Sequence, residues 1–133
     1  MGKPMKLQPI KLVKLAKATT GFRILPSWRR PDPATFARKV DLWLPELAPG
    51  LSLMNHYRQR NTSWEELSFI YTCELRVPSC QNLLKPLALL SMRRKLVLLC
   101  DCEGRLKCPN LILAQVLNDC RTSRDFRIKG KCL

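Results

Sequence analysis

The sequence predicts a small single-domain α/β fold, a sandwich in which helices flank a central, largely parallel sheet. Residues 95–102 begin with a continuous apolar run of strand length, which is typical of a strand buried on both faces. A helical pattern follows after a short loop, and Pro109 suits its first position because no N–H is needed there. At 133 residues, 46% of them apolar, the chain is long enough to bury one sizeable core.

The other elements are predicted from alternation, prolines and caps. Residues 7–15 and 21–25 predict two strands, residues 41–49 predict no long element, and residues 118–123 predict a turn before a last strand at 125–131. Four further helices are predicted. The first three lie at residues 34–40, starting from Asp32 or Pro33, at 51–60, and from a capping box at 62–65 to a stop at Pro78. The fourth lies at 81–92 and is capped by Ser79, and Pro86 inside it predicts a kink or a late start.

Basic residues outnumber acidic ones, and their excess lies at the two ends of the chain. The net charge is +14. Residues 1–31 contain eight Lys and Arg and no acid, residues 104–133 contain seven against two, and the stretch between is nearly balanced. If both ends lie on one side of the sheet, they form a basic face that attracts phosphate groups. We therefore expect an anionic partner, a small molecule or a nucleic acid, and a flexible basic tail over residues 1–6.

Composition disfavours several classes of protein. The apolar run at residues 83–92 is too short for a membrane span and contains Lys85 and Pro86, so no membrane partner is expected. Lysines interrupt the apolar residues near the N-terminus, which is unlike a secretory signal. Seven irregularly spaced cysteines do not resemble a secreted disulfide scaffold. The prediction is a cytoplasmic protein with free thiols.

Arginine and tryptophan side chains around the second strand form the first half of a candidate ligand site. Trp28, Arg29 and Arg30 lie in the loop after this strand, and Arg23 lies on it. The guanidinium group suits phosphate or carboxylate, and an aromatic ring beside it can stack on a ligand. Because ligands usually bind at the carboxyl edge of an open α/β sheet, we predict that this loop and Cys108 share one cleft.

Cysteines form the second half of the candidate site. Cys108 directly precedes a predicted helix, whose unpaired N–H groups lower the pKa of a thiol, and Lys107 and Arg105 would add to this effect. Cys108 is therefore the candidate nucleophile, although no histidine is near it in the sequence. A zinc site at Cys100, Cys102 and Cys108 is a less favoured alternative, because ligand pairs usually lie two to four residues apart.

Four blocks of the chain, in order, are similar to a known family. They are Gly21-Phe22-Arg23-Ile24-Leu25 with Trp28-Arg29-Arg30, Asp41-Leu42-Trp43-Leu44-Pro45-Glu46-Leu47-Ala48-Pro49, Trp64-Glu65-Glu66 with Tyr71 and Glu74-Leu75, and Leu98-Leu99-Cys100 with Cys108. Together they resemble the "domain of unknown function 488" family. The resemblance implies a compact α/β fold with a central, largely parallel sheet, and it implies no established activity or cofactor.

Two departures from the family pattern affect the expected site. The family's Cys-His-Arg is Cys108-Pro109-Asn110 here, and its Asp-Arg after the second strand is missing or shortened. The candidate ligand-binding residues are Arg23, Trp28, Arg29, Arg30, Cys100, Arg105 and Asn110. We predict a pocket for a nucleotide-like or phosphate-like anion, with catalysis left open. The alternatives are a nucleic-acid-binding accessory protein and a thiol redox or zinc-binding protein.

Overall fold

A computed structural model describes residues 9–17, 20–100, 102 and 106–122. The strands are β1 (Lys11–Lys14), β2 (Phe22–Leu25), β3 (Leu42–Trp43) and β4 (Leu96–Cys100), and the helices are α1 (Pro33–Lys39), α2 (Leu51–Arg58), α3 (Trp64–Leu75), α4 (Pro78–Ser91) and α5 (Asn110–Thr122). All strand pairs are parallel, in the order β1-β4-β2-β3. The predicted α/β class with a parallel sheet is therefore confirmed.

Strand β4 is the centre of the sheet and is apolar on both faces, as predicted. Leu96 and Leu98 pack into the larger core cluster, to which helices α2, α3, α4 and α5 contribute. Val97 and Leu99 face the opposite way and pack with Leu25 in a smaller cluster. Helix α1 contributes no buried residue. Among the described residues, four helices thus cover one face and a thinner layer covers the other.

Helices α3 and α4 begin at different residues from those predicted. In α3, the Ser63 side chain accepts a hydrogen bond from the Glu66 N–H, and the Glu66 carboxylate accepts one from the Ser63 N–H. The predicted box at residues 62–65 is wrong by one residue, because the sequence carries two overlapping boxes and pattern alone does not separate them. Helix α4 begins at Pro78, which occupies its first turn after the N-cap Val77, so the prediction of Ser79 as the cap is also wrong.

The remaining differences concern residues whose local signals were weak or misleading. Pro86 lies inside α4, and both Pro86 and Asn82, the residue four positions before it, are exposed. The predicted turn at 118–123 is wrong, because α5 continues to Thr122 and buries Cys120 and Arg121. The two-residue strand β3 was not predicted.

The tail at residues 1–6 and the last strand at 125–131 lie outside the described residues. None of the helices described is long and apolar enough to cross a bilayer.

Candidate functional site

A cleft of about 680 Å³ lies at the carboxyl edge of the sheet. The loop after β2 contributes Trp28 and Arg29, and the loop between β4 and α5 contributes Cys102 and Lys107. A cavity of about 50 Å³ lies beside it, and its described lining includes Trp28 together with Cys100, Cys102, Cys108 and Asn110. The structure therefore brings Trp28, Arg29 and the cysteines to one edge of the fold, but Cys108 lines the smaller cavity and not the cleft that Arg29 lines.

Trp28 is held so that its ring faces the cleft. Its side chain is 51% exposed, and its indole N–H donates a hydrogen bond to the Pro49 carbonyl. The neighbouring Ser27 carbonyl accepts a hydrogen bond from the Trp43 indole N–H at 2.6 Å. Two indole hydrogen bonds thus fix the loop after β2, and the Trp28 ring remains available to a planar ligand.

Helix α2 and the loop before α5 supply cleft residues that the predicted site did not include. Arg58 and Tyr57 line the cleft from α2, together with Arg29 from the loop after β2. The Tyr57 hydroxyl donates to the Lys107 carbonyl at 2.9 Å, and the Lys107 ammonium lies 5.5 Å from the centre of the Trp64 ring. These residues are separated by up to 50 positions, so no local spacing could have connected them. Of the described residues that line the cleft, none is acidic.

Three cysteine sulfurs lie close together beside the cleft, and Cys102 lines it. The Sγ atoms of Cys108 and Cys100 are 3.1 Å apart, and those of Cys102 and Cys108 are 3.4 Å apart. Two backbone amides donate to this group, from Cys102 to the Cys100 sulfur at 3.0 Å and from Asn110 to the Cys108 sulfur at 3.4 Å. All three side chains are half-buried, and all three are free thiols.

Comparison with known proteins assigns the chain to a family. The family model described as the active DUF488-N3 subclade, DUF488-N3a, matches residues 7–121. The chain belongs to this family. The resemblance to the "domain of unknown function 488" proteins is therefore confirmed, and the match includes all four similar blocks. No curated protein and no solved structure matches the chain.

The three thiols of this DUF488-N3a protein share one negative charge. Hydrogen bonds from the thiols of Cys102 and Cys108 lower the pKa of Cys100 to about 3. The contact with Cys100 raises the pKa of Cys108 to about 11, and it raises that of Cys102 far above its usual range. The predicted lowering of the Cys108 pKa is therefore wrong. The Asn110 N–H does favour the Cys108 thiolate, but the neighbouring sulfur opposes it more strongly.

Cys100 is expected to be the fastest of the free cysteines to react with iodoacetamide in the reduced protein. Because its pKa is about 3, its thiolate persists throughout the range from about pH 5 to 8, and its rate should change little there. The rates of the buried Cys80 and Cys120, whose pKa values are raised by burial, should rise about tenfold per pH unit. Peptide mapping by mass spectrometry measures each rate. Faster labelling of Cys108 than of Cys100 would contradict this assignment.

The other predicted site residues have different surroundings. Arg23 forms an ion pair with Asp41 at 3.1 Å and donates to the Arg38 carbonyl, and it lies outside the described lining of the cleft. Its guanidinium lowers the pKa of the Asp41 carboxyl.

Arg30 is exposed in the same loop as Arg29 but does not line the cleft. The buried Asn110 side chain donates to the Leu99 carbonyl at 2.9 Å, and Arg105 lies outside the described residues. Ligand binding by these four residues, and a nucleophilic Cys108, stay predictions.

Proposed function

We propose that this DUF488-N3a protein binds a small anionic ligand, nucleotide-like or phosphate-like, in the cleft at the carboxyl edge of its sheet. One observation carries the proposal: Arg29, Arg58 and Lys107 come from three separate segments and line one cleft. Three cations around one cleft, with no acid in its described lining, attract an anion and are costly to bring together without one.

The shape and chemistry of the cleft support a ligand of nucleotide size. A volume of about 680 Å³ lies within the range of about 300–1,000 Å³ that is usual for small-molecule sites. The guanidinium groups of Arg29 and Arg58 can each contact two phosphate oxygens, and the exposed ring of Trp28 offers a surface for stacking a base. The family's description as active supports catalysis at this site, with the thiols beside it as the reactive groups.

Neighbouring arginines provide a matched test of the proposal. Nucleotides and sugar phosphates are first screened for a rise in melting temperature, since a ligand that binds only the native state stabilises it. With the best ligand of this screen, Arg29→Gln is expected to raise the Kd about tenfold, because a charge-assisted hydrogen bond is lost. Arg30→Gln removes the same charge from the next position, outside the described lining, and should change the Kd less than about twofold.

The net charge of +14 favours a second candidate function, binding to the phosphate backbone of a nucleic acid. Its signature is an affinity that falls linearly with salt on logarithmic axes, and Arg29→Gln and Arg30→Gln would then weaken binding equally. Such behaviour, together with no response to any small anion, would refute the proposed pocket.

A further inference from the structure

We infer that Cys100, Cys102 and Cys108 form a binding site for a soft divalent cation of the Zn²⁺ class. The three sulfur atoms lie within 4.8 Å of one another, where one ion can contact all of them. Thiolate sulfur is the preferred ligand of zinc in proteins, and it selects against the hard cations Mg²⁺ and Ca²⁺.

The distances between the sulfurs favour a shared ion. A disulfide requires about 2.0 Å between sulfurs, whereas the contacts here are 3.1 Å and 3.4 Å. In a tetrahedral zinc site with Zn–S bonds of about 2.3 Å, neighbouring sulfurs are about 3.8 Å apart. These two pairs need an expansion of about 0.4 to 0.7 Å to reach that geometry, and side-chain rotations can supply it.

The surroundings of the cluster already resemble those of metal-bound thiolates. The amides of Cys102 and Asn110 donate to the sulfurs of Cys100 and Cys108, as outer hydrogen bonds do in metal sites. The Asn110 side chain also joins the start of α5 to the end of β4 through the Leu99 carbonyl. This bond fixes the separation of the two elements that carry Cys100 and Cys108.

Among the residues that the structure describes, the site has three protein ligands and one open side. No fourth Cys, His, Asp or Glu joins the group within the part of the chain that the structure describes. All three cysteines line the 50 Å³ cavity, which has room for a water molecule as the fourth ligand. Three protein ligands with an exchangeable fourth position are typical of catalytic rather than structural zinc. Although Cys102 also lines the cleft, metal binding does not rest on the proposed binding of an anion by Arg29, Arg58 and Lys107, because the two sets of ligating residues do not overlap.

Metal titration of the full-length, reduced and chelator-treated protein tests the site without any organic ligand. One equivalent of Co²⁺ per chain should produce a sulfur-to-metal charge-transfer band, and Zn²⁺ should displace it. Zn²⁺ should also slow the alkylation of Cys100 at least tenfold. Cys108→Ser should weaken Zn²⁺ binding at least 100-fold. Cys80→Ser should leave it unchanged, because Cys80 lies outside the group of three sulfurs and its contact with the Glu46 carbonyl suits a hydroxyl equally well.

Three results would overturn the site. They are no charge-transfer band in the wild-type protein, Zn²⁺ affinity equal in Cys108→Ser and Cys80→Ser, and rapid formation of a disulfide among the three cysteines with Zn²⁺ present in excess. Circular dichroism of each variant shows whether it is folded. If Cys108→Ser does not fold, the stoichiometry and the spectrum of the wild-type protein decide. The thermal-shift screen with anions is read separately, so the two proposals can fail independently.

Discussion

Replacing Leu98 with alanine is expected to lower the free energy of unfolding by about 3 kcal/mol. Leu98 lies in the middle of β4, is fully buried, and packs in the larger core cluster. Alanine would remove three carbon atoms and leave a cavity, because strands on both sides of β4 hold its backbone in place. Urea denaturation followed by circular dichroism measures the change in midpoint and slope.

Leu89→Ala is the matched control for this prediction. It makes the same chemical change on α4, where the Leu89 side chain is 52% exposed. We expect a loss of less than about 0.5 kcal/mol there, since little apolar surface is buried and alanine favours a helix. Equal losses in the two variants would mean that β4 is not the centre of the core.

Replacing Gly21 with alanine is expected to cost about 2–3 kcal/mol. Gly21 precedes β2 and has a φ of 123°, a backbone conformation that side chains rarely permit. An added Cβ would lie 2.9 Å from a methyl group of Val97 and 3.0 Å from the Lys95 carbonyl. Both contacts belong to β4 or its approach, so relief of the clash would separate two paired strands. The same denaturation experiment measures the loss.

Gly50→Ala separates the two causes of the loss expected for Gly21→Ala, the positive φ and the close contacts of the added Cβ. Gly50 has a φ of −52°, which alanine adopts easily, and its added Cβ would meet only the carboxylate of Glu74. That carboxylate can rotate at the cost of its hydrogen bond from the Gly50 N–H, so we expect a loss of about 1 kcal/mol or less. A larger loss in Gly50→Ala than in Gly21→Ala would contradict the argument from backbone conformation.

The unit of strand, loop and helix from residue 95 onward could be predicted because its signals are local. An unbroken apolar run, a proline and a following helical pattern determine β4 and α5, and the parallel topology then places Cys100 near Trp28. The contact among the three cysteines also follows from this unit, since Cys102 and Cys108 lie in one short loop. The sequence spacing could not show which sulfur carries the negative charge, because this depends on differences of a few tenths of an ångström between the sulfur–sulfur distances.

The cleft residues that α2 contributes could not be predicted, because tertiary packing brings them to the cleft. Arg58 and Tyr57 belong to a helix with an ordinary polar surface, and nothing in that helix indicates that it ends beside Lys107. Strand β3 has only two residues, too few for any periodicity, and exists because it pairs with β2. Each of these features depends on residues far apart in the sequence.

The strand order has a consequence for biosynthesis. Strand β1 pairs only with β4 among the described strands, and β4 also pairs with β2, although about 70 residues separate β2 from β4 in the chain. While the ribosome still holds residue 95 in its exit tunnel, β1 has no partner and the sheet cannot assemble. The sheet therefore forms only after the last third of the chain has been synthesised. Until then, the lysine-rich strand β1 is unpaired and is available to chaperones.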